Sequence, residues 1–315
     1  MNWQAITADF GNDDLIYWFV PIFLVALALE FRYDRRKHLE LFEAQDTRAS
    51  LWMMVYVVFV DLLPKFLLFA VIYQLHEISP LRDVVQRQWW AWALLLLLDD
   101  FTYYWMHRAN HEVRLFWAGH VSHHSAIRMN YATALRQGVG ERLHKYFFWL
   151  PLPLLGFDAL MIFTMMSINL FYQFWIHTEL VKRLPPFIEA IFNTPSHHRV
   201  HHASNPRYLD RNHAGIFILW DKLFGSFSAE REDDPPRYGL TRNITSYRPL
   251  DVATHEYQAI WHDMRRASRW QDKMKYLLMA PGWSHDGEDR RSEVLRRRVT
   301  ENDRSGGLSG RLDTN

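Results

Sequence analysis

Apolar residues gather in four runs separated by charged stretches, and the runs set the architecture. The first extends from Leu15 to Leu29 and closes at Glu30, with Tyr17, Trp18 and Phe19 near its start. It is slightly short of the about 20 residues a membrane helix needs. Asp9, Asp13 and Asp14 precede it and no Lys or Arg does, so it reads as a span and not as a signal peptide, which needs a basic leading region. The second run, Leu51 to Leu75, is interrupted by Asp61, Pro64 and Lys65. That predicts one kinked span or a short hairpin, with Asp61 and Lys65 on one helix face and able to pair. The third, Trp89 to Trp105, opens on Trp89, Trp90 and Trp92, rings that collect where a span meets the membrane–water interface. The fourth, Tyr146 to Ile176, is punctuated by Pro151, Pro153 and Gly156, which predicts two helices that turn back instead of one crossing.

These runs predict an all-α fold: an integral membrane helical bundle of about four spans or hairpins. The spans fall near 15–30, 51–75, 89–105 and 146–176, with a histidine-rich helical cap over 106–145 and 177–227. Arg32, Arg35, Arg36, Lys37 and Arg48 follow the first run, and basic loops stay in the cytoplasm. Single crossings by the next two runs then bring the chain back to the cytosolic side at His107. Residues 1–282 are expected to form one membrane-embedded domain. Within it, Asp251 to Leu278 patterns as a surface helix carrying Tyr257, Trp261, Met264 and Trp270. Residues 283–315 are charged, lack apolar periodicity and are expected to be a disordered tail.

Composition narrows the chemistry. The 315 residues carry a net charge of +1, giving no general attraction to nucleic acid. With no cysteine, a disulfide framework, an iron–sulfur cluster and a thiolate zinc site are all excluded, so any metal must sit on nitrogen and oxygen. A mean hydropathy of −0.23 averages the apolar runs with a highly charged remainder.

Nine of the 17 histidines fall within residues 107–124 and 197–202. His107 and His111 lie in His-Arg-Ala-Asn-His; His120, His123 and His124 in His-Val-Ser-His-His; His198, His201 and His202 in His-His-Arg-Val-His-His, which opens with His197. Residues three and four apart share a helix face, so each cluster aims its imidazoles at one point. Thr194 and Pro195 read as the N-cap and first turn of the third helix. A lone histidine is usually a packed or surface residue, but three clusters at this spacing are not. They outnumber the ligands of one tetrahedral zinc and fit two metals with open positions. Asp99, Asp100, Glu112, Glu179, Asp210 and Asp221 are placed to orient the imidazoles. Glu112, directly after His111, is the catalytic candidate, against the plainer reading of a surface charge. A membrane metal transporter or metal-binding protein is the competing class. Transporters, however, put ligands inside spans near the midplane, whereas these clusters follow the spans and sit among Arg108, Arg114 and Arg199.

The HX3H, HXXHH and HXXHH pattern among spans resembles the fatty acid hydroxylase/sterol desaturase superfamily. The segment from Asn212-His213-Ala214-Gly215 to Trp220-Asp221-Lys222-Leu223-Phe224-Gly225-Ser226-Phe227 resembles its closing block. Within the superfamily, Thr133-Ala134-Leu135-Arg136-Gln137, Tyr172-Gln173-Phe174-Trp175-Ile176-His177-Thr178-Glu179 and Phe192 to His202 are similar to the alkylglycerol monooxygenase group. The resemblance implies that His107, His111, His120, His123, His124, His198, His201 and His202 bind two iron ions, with zinc as a substitute, and that His177 joins them. His197 is left open, and His213 stands where a tyrosine is usual. The implied activity is O2-dependent hydroxylation of a lipid C–H bond in the membrane. For the alkylglycerol monooxygenase group that means cleavage of O-alkyl glycerol ethers, with tetrahydrobiopterin as the external reductant. Sterol, fatty acid or carotenoid hydroxylation or desaturation is the alternative within the superfamily. The residues themselves leave the electron donor open.

Overall fold

The computed structural model describes residues 15–309, the side chains of 15–17, 61 and 304–309 excepted. The expected apolar runs are helices: α1 (Leu15–Lys37), α2 (Ala44–Glu77) and α3 (Trp89–Glu112) come first. The cap follows with α4 (Arg114–His124), α5 (Tyr131–Leu135) and α6 (Glu141–Lys145). A 3-10 turn at Tyr146–Trp149 and the short α7 (Pro151–Leu154) lead to α8 (Ala159–Trp175). The chain then adds α9 (Pro186–Ile191), α10 (Pro195–His201), α11 (Leu219–Leu223), α12 (Pro249–Arg266), α13 (Trp270–Leu278) and α14 (Ser292–Ser309). Among the described residues β-structure is confined to isolated bridges, so the fold is all-α, as expected.

Pro64 kinks α2 without breaking it. The segments Ala44–Val60 and Leu62–Glu77 meet at 47°. The bend falls four residues before Pro64, where the proline ring meets the carbonyl of residue i−4 and removes a hydrogen bond. The pairing expected for Asp61 lies outside the described side chains. No single described helix is long and apolar enough to cross a membrane, whereas the two halves of α2 pass that test together. The fourth run is divided at Gly156 into two helical parts of unequal length. The 3-10 turn and α7 make a short descent, Gly156 reverses the chain at φ +94, and α8 returns alone. A side chain at Gly156 would have its Cβ 2.6 Å from the Leu81 carbonyl, so the reversal needs glycine.

The expected surface helix over 251–278 is two helices, α12 and α13, whose outer faces expose Trp261 and Trp270. Of the residues 283–315 expected as a disordered tail, 292–309 form α14, and 310–315 lie outside the described residues. This helix is held by charges, not by an apolar stripe. Glu293 and Arg297 pair at 3.0 Å one turn apart, and Asp303 pairs with Arg207 at 2.6 Å. Apolar periodicity is blind to such a helix.

The main core packs the second half of α2, α3, α7 and α8 through Phe69, Ile72, Leu95, Trp149, Met161 and Ile162. A smaller aromatic stack joins α1, α5 and α8, with Phe23 and Tyr131 on either side of Phe174. Buried carboxylates then pin the cap to the long helices. Glu30 of α1 accepts from the Tyr131 amide at 2.7 Å and from the Thr178 hydroxyl. Asp46 of α2 accepts from Arg136 Nη1 at 2.7 Å. Asp99 of α3 accepts from Trp149 Nε1 and Asn169 Nδ2, and Asp100 accepts from the amides of Ile216 and Phe217. Because Arg136 is 1% exposed, removing it strands a buried carboxylate, which costs about 3–5 kcal/mol. Arg136→Ala is therefore expected to lower the thermal midpoint of the detergent-solubilised protein sharply. An unchanged midpoint would show that the pair does not hold the cap.

Candidate metal centre

α3 ends on His107 and His111, α4 ends on His120, His123 and His124, and α10 carries His198 and His201 with His202 at its C-cap. Pro195 occupies the first turn of α10 as expected. Thr194, expected to cap that helix with its side chain, instead donates to Glu189 Oε1 at 2.9 Å. His177 follows the end of α8.

These nine side chains are all buried and form two sets: His107, His111, His120, His124 and His201; and His123, His177, His198 and His202. Within each set the ligand nitrogens lie within 4.8 Å of one another. Consecutive helical residues point about 100° apart. His123 and His124 therefore serve different sets, as do His201 and His202, and α4 and α10 run between the two sites. The rings of His124 and His202 stack across that boundary with centroids 4.5 Å apart.

Acceptors behind the rings fix how each imidazole is protonated. Nδ1 of His107 meets the His213 carbonyl at 2.8 Å, Nδ1 of His123 the Arg136 carbonyl at 3.2 Å, Nδ1 of His177 the Gln173 carbonyl at 2.7 Å, and Nδ1 of His201 the Arg211 carbonyl at 2.9 Å. A carbonyl only accepts, so each of these Nδ1 atoms bears the proton and each Nε2 presents a lone pair. Carboxylates do the same for two more rings: Asp210 faces His111 Nδ1 and Glu141 faces His120 Nδ1, both at 3.2 Å. The lone pairs then converge, with Nε2 of His107 3.1 Å from Nε2 of His120, and Nε2 of His123 3.2 Å from Nε2 of His177. Two lone pairs at that distance repel unless a cation lies between them. Nε2 of His111 and of His201 are buried with no hydrogen-bond partner among the described residues, a cost of about 1–3 kcal/mol each that metal binding removes. The donor set, nitrogen throughout and neutral, fits first-row transition metals.

Electrostatics keep the rings neutral. Burial, reinforced by repulsion from neighbouring imidazoles, pushes His123, His124, His198, His201 and His202 well below the usual histidine range. His177 is pushed down to about 4, chiefly by burial. Burial alone would raise the Glu141 carboxyl, but His120, Lys145 and Arg142 outweigh it and hold it well below the usual carboxylate range.

The remaining expected residues separate cleanly. Glu112 is half exposed and its Oε1 accepts from Arg108 Nε at 2.8 Å. It does not face the imidazoles, and Asp210 fills the role expected of it. Adjacency misleads here because the residue after His111 points off the ligand face. His197 bonds Glu189 at 3.0 Å and stays outside both sets. His213 lies beside His111, ring centroids 5.0 Å apart, but also outside both. Asp221 holds the His213 and Ala214 amides at 2.8 Å. His144 bonds Asn110 and stacks on Phe116. Glu141 was not marked by any spacing in the sequence, since it lies on α6, 21 residues from His120.

A cavity of about 270 Å³ opens from His120, His123 and His177 and runs between α1, α2 and α8, walled by Phe23, Leu24, Val58, Leu62, Phe163 and Leu170. Tyr103, Asn169 and Gln173 add polar groups along it.

Residues 92–226, which hold all nine imidazoles, match the fatty acid hydroxylase family model. The chain carries a fatty acid hydroxylase domain. It is similar to the alkylglycerol monooxygenase of Homo sapiens, 44% identical over 195 residues, which is 62% of this chain and 43% of that protein. The alkylglycerol monooxygenase of Caenorhabditis elegans is 37% identical over 211 residues, 62% of this chain and 40% of the relative. An ornithine lipid hydroxylase of Rhizobium tropici is 29% identical over 150 residues, 47% of this chain and 44% of the relative. The chain thus spans less than half the length of these curated relatives. No solved structure matches it.

The geometry of the fatty acid hydroxylase domain separates two acidic residues next to His111. Asp210→Ala is expected to weaken metal binding by about 10–100-fold, whereas Glu112→Gln should leave metal content unchanged. Titration of both purified variants with Fe(II) under argon checks this, and equal losses would return Glu112 to the site.

Proposed function

We propose that this chain is a membrane-bound di-iron oxygenase that hydroxylates a lipid C–H bond with O2, with O-alkyl glycerol ethers as its substrate class. The observation that carries the reading is the convergence of nine buried imidazoles at the head of a largely apolar cavity. His107, His111, His120, His124 and His201 would hold one iron and His123, His177, His198 and His202 the other. Bound iron supplies the redox chemistry with O2; one oxygen atom enters the substrate, the other leaves as water, and an external reductant, tetrahydrobiopterin in this reading, gives two electrons. The chain's own contribution is placement. The acceptors behind the rings hold the Nε2 atoms on target, and the walls of α1, α2 and α8 keep water from the reacting carbon. A straight alkyl chain suits the cavity, its length lying along Phe163 to Phe174 of α8, about 16 Å of helix. Hydroxylation beside an ether oxygen gives a hemiacetal that collapses to a fatty aldehyde and a free glycerol hydroxyl.

Membrane insertion follows from the outward faces of the long helices. Trp18, Leu29, Phe59, Leu63 and Trp89 are each more than 60% exposed, an apolar surface that suits hydrocarbon better than water. The two halves of α2 are together long and apolar enough to cross a hydrocarbon core of about 30 Å. We read residues 1–282 as one oxygenase domain with its histidine cap facing the cytosol.

Purified protein expressed with ample iron should hold two metal ions per chain. His124→Ala and His198→Ala should each abolish conversion of an alkylglycerol to aldehyde, followed by lipid mass spectrometry. Full activity in either variant would sink the di-iron site. Topology is checked separately by single cysteines, since the native chain has none. Probes at the exposed Arg128 and Arg237 should label from the cytosolic side, and one at Leu155, beside the Gly156 reversal, from the other or not at all. Labelling of the first two from opposite faces would refute a shared cap.

A further inference from the structure

The segment 210–213 orients three of the five rings in the first set: Asp210 faces His111, the Arg211 carbonyl faces His201 and the His213 carbonyl faces His107. Its backbone is unusual. Asp210 and Asn212 both sit in the left-handed region, at φ 51 and 57, which Asp and Asn enter more readily than other side-chain-bearing residues but which is still uncommon. On the Asn212 side, its amide bonds Ser226 and its side chain bonds His197 and Ser228. On the Asp210 side the restraint comes from α14. Arg296 Nη1 donates to the Leu209 carbonyl, Asp303 pairs with Arg207 at 2.6 Å, and Ser292 at the start of the helix lies near the Asp210 carboxylate.

The second set makes no use of this segment. Its oriented rings, His123 and His177, lean on the Arg136 and Gln173 carbonyls, which α2 and α8 hold. We propose that α14 is a positioning clamp for the first metal site alone: Ser292, Arg296 and Asp303 hold residues 207–210 so that Asp210, Arg211 and His213 present their acceptors to His111, His201 and His107. The helix lies outside the fatty acid hydroxylase domain, and the proposal rests on the two-metal reading above. In this arrangement a C-terminal segment sets the affinity of one metal, and anything that lifts it would disable the centre without unfolding the bundle.

The test uses the full-length protein in detergent, with Co(II) as the spectroscopic probe and elemental analysis as the count. Arg296→Ala combined with Asp303→Ala should weaken one cobalt site by about 10–100-fold and leave the other at wild-type affinity. Ser292→Ala, a smaller change, should do the same to a lesser degree. The charge exchange Arg207→Asp with Asp303→Arg should restore binding relative to Asp303→Arg alone, a rescue that a general packing role would not produce at one site only. Two cobalt ions bound with unchanged affinity in the double variant, or both sites weakened equally, would overturn the clamp. A wild-type protein that binds fewer than two ions would overturn the two-metal reading itself, a result the variants alone cannot mimic.

Discussion

The structure turns on one electrostatic conflict: imidazole lone pairs are aimed at one another in the interior. His107 faces His120 and His123 faces His177 at about van der Waals contact between nitrogens, while the carbonyls and carboxylates behind the rings prevent the protons from moving inward. Buried polar atoms are ordinarily satisfied, and a cation between these rings would satisfy them. Neutral rings at physiological pH follow from the same burial, since a protonated imidazole beside several others in a dry site is strongly disfavoured.

Holding the rings against this repulsion explains why so many carboxylates are buried at the helix ends. Glu30, Asp46 and Asp100 each tie a long helix to a piece of the cap, and Asp99 ties α3 to Trp149 and α8. Arg136 illustrates the economy of the arrangement. Its guanidinium bonds Asp46 while its own carbonyl orients His123, so a single residue links the kinked α2 to a metal ligand. Asp100 acts at one remove: by holding the Ile216 and Phe217 amides it fixes the loop whose His213 carbonyl orients His107.

Features with a local period were legible in the sequence. The HX3H and HXXHH spacings located eight of the nine converging imidazoles because helical geometry brings them together, and Pro64 and Gly156 marked the bend and the reversal through their own backbone constraints. The ninth, His177, has no partner at helical spacing and rested on resemblance alone. What could not be read depends on tertiary contact. Glu141 reaches His120 from another helix, and backbone carbonyls that orient rings leave no trace in side-chain identity. Glu112 shows the limit of adjacency as a signal. It was singled out for lying next to a ligand, yet the 100° turn per residue that splits His123 from His124 also swings Glu112 out to Arg108. α14 escaped notice because its order comes from ion pairs with Arg207 and the Leu209 carbonyl and not from an apolar face.

The two sites are not equivalent, and the difference lies behind the ligands. In the first set His111 and His120 lean on carboxylates, Asp210 and Glu141, whereas the acceptors behind His123 and His177 in the second set are neutral carbonyls. A carboxylate makes the imidazole it orients a stronger donor and offsets part of the metal's charge, so the first site favours a more highly charged ion than the second. The cavity, however, borders both, through His120 of the first set and His123 and His177 of the second. An alkyl chain lying there would meet the boundary between a more and a less electron-rich set of imidazoles. That asymmetry is built by Glu141 and Asp210, two residues outside the histidine motifs.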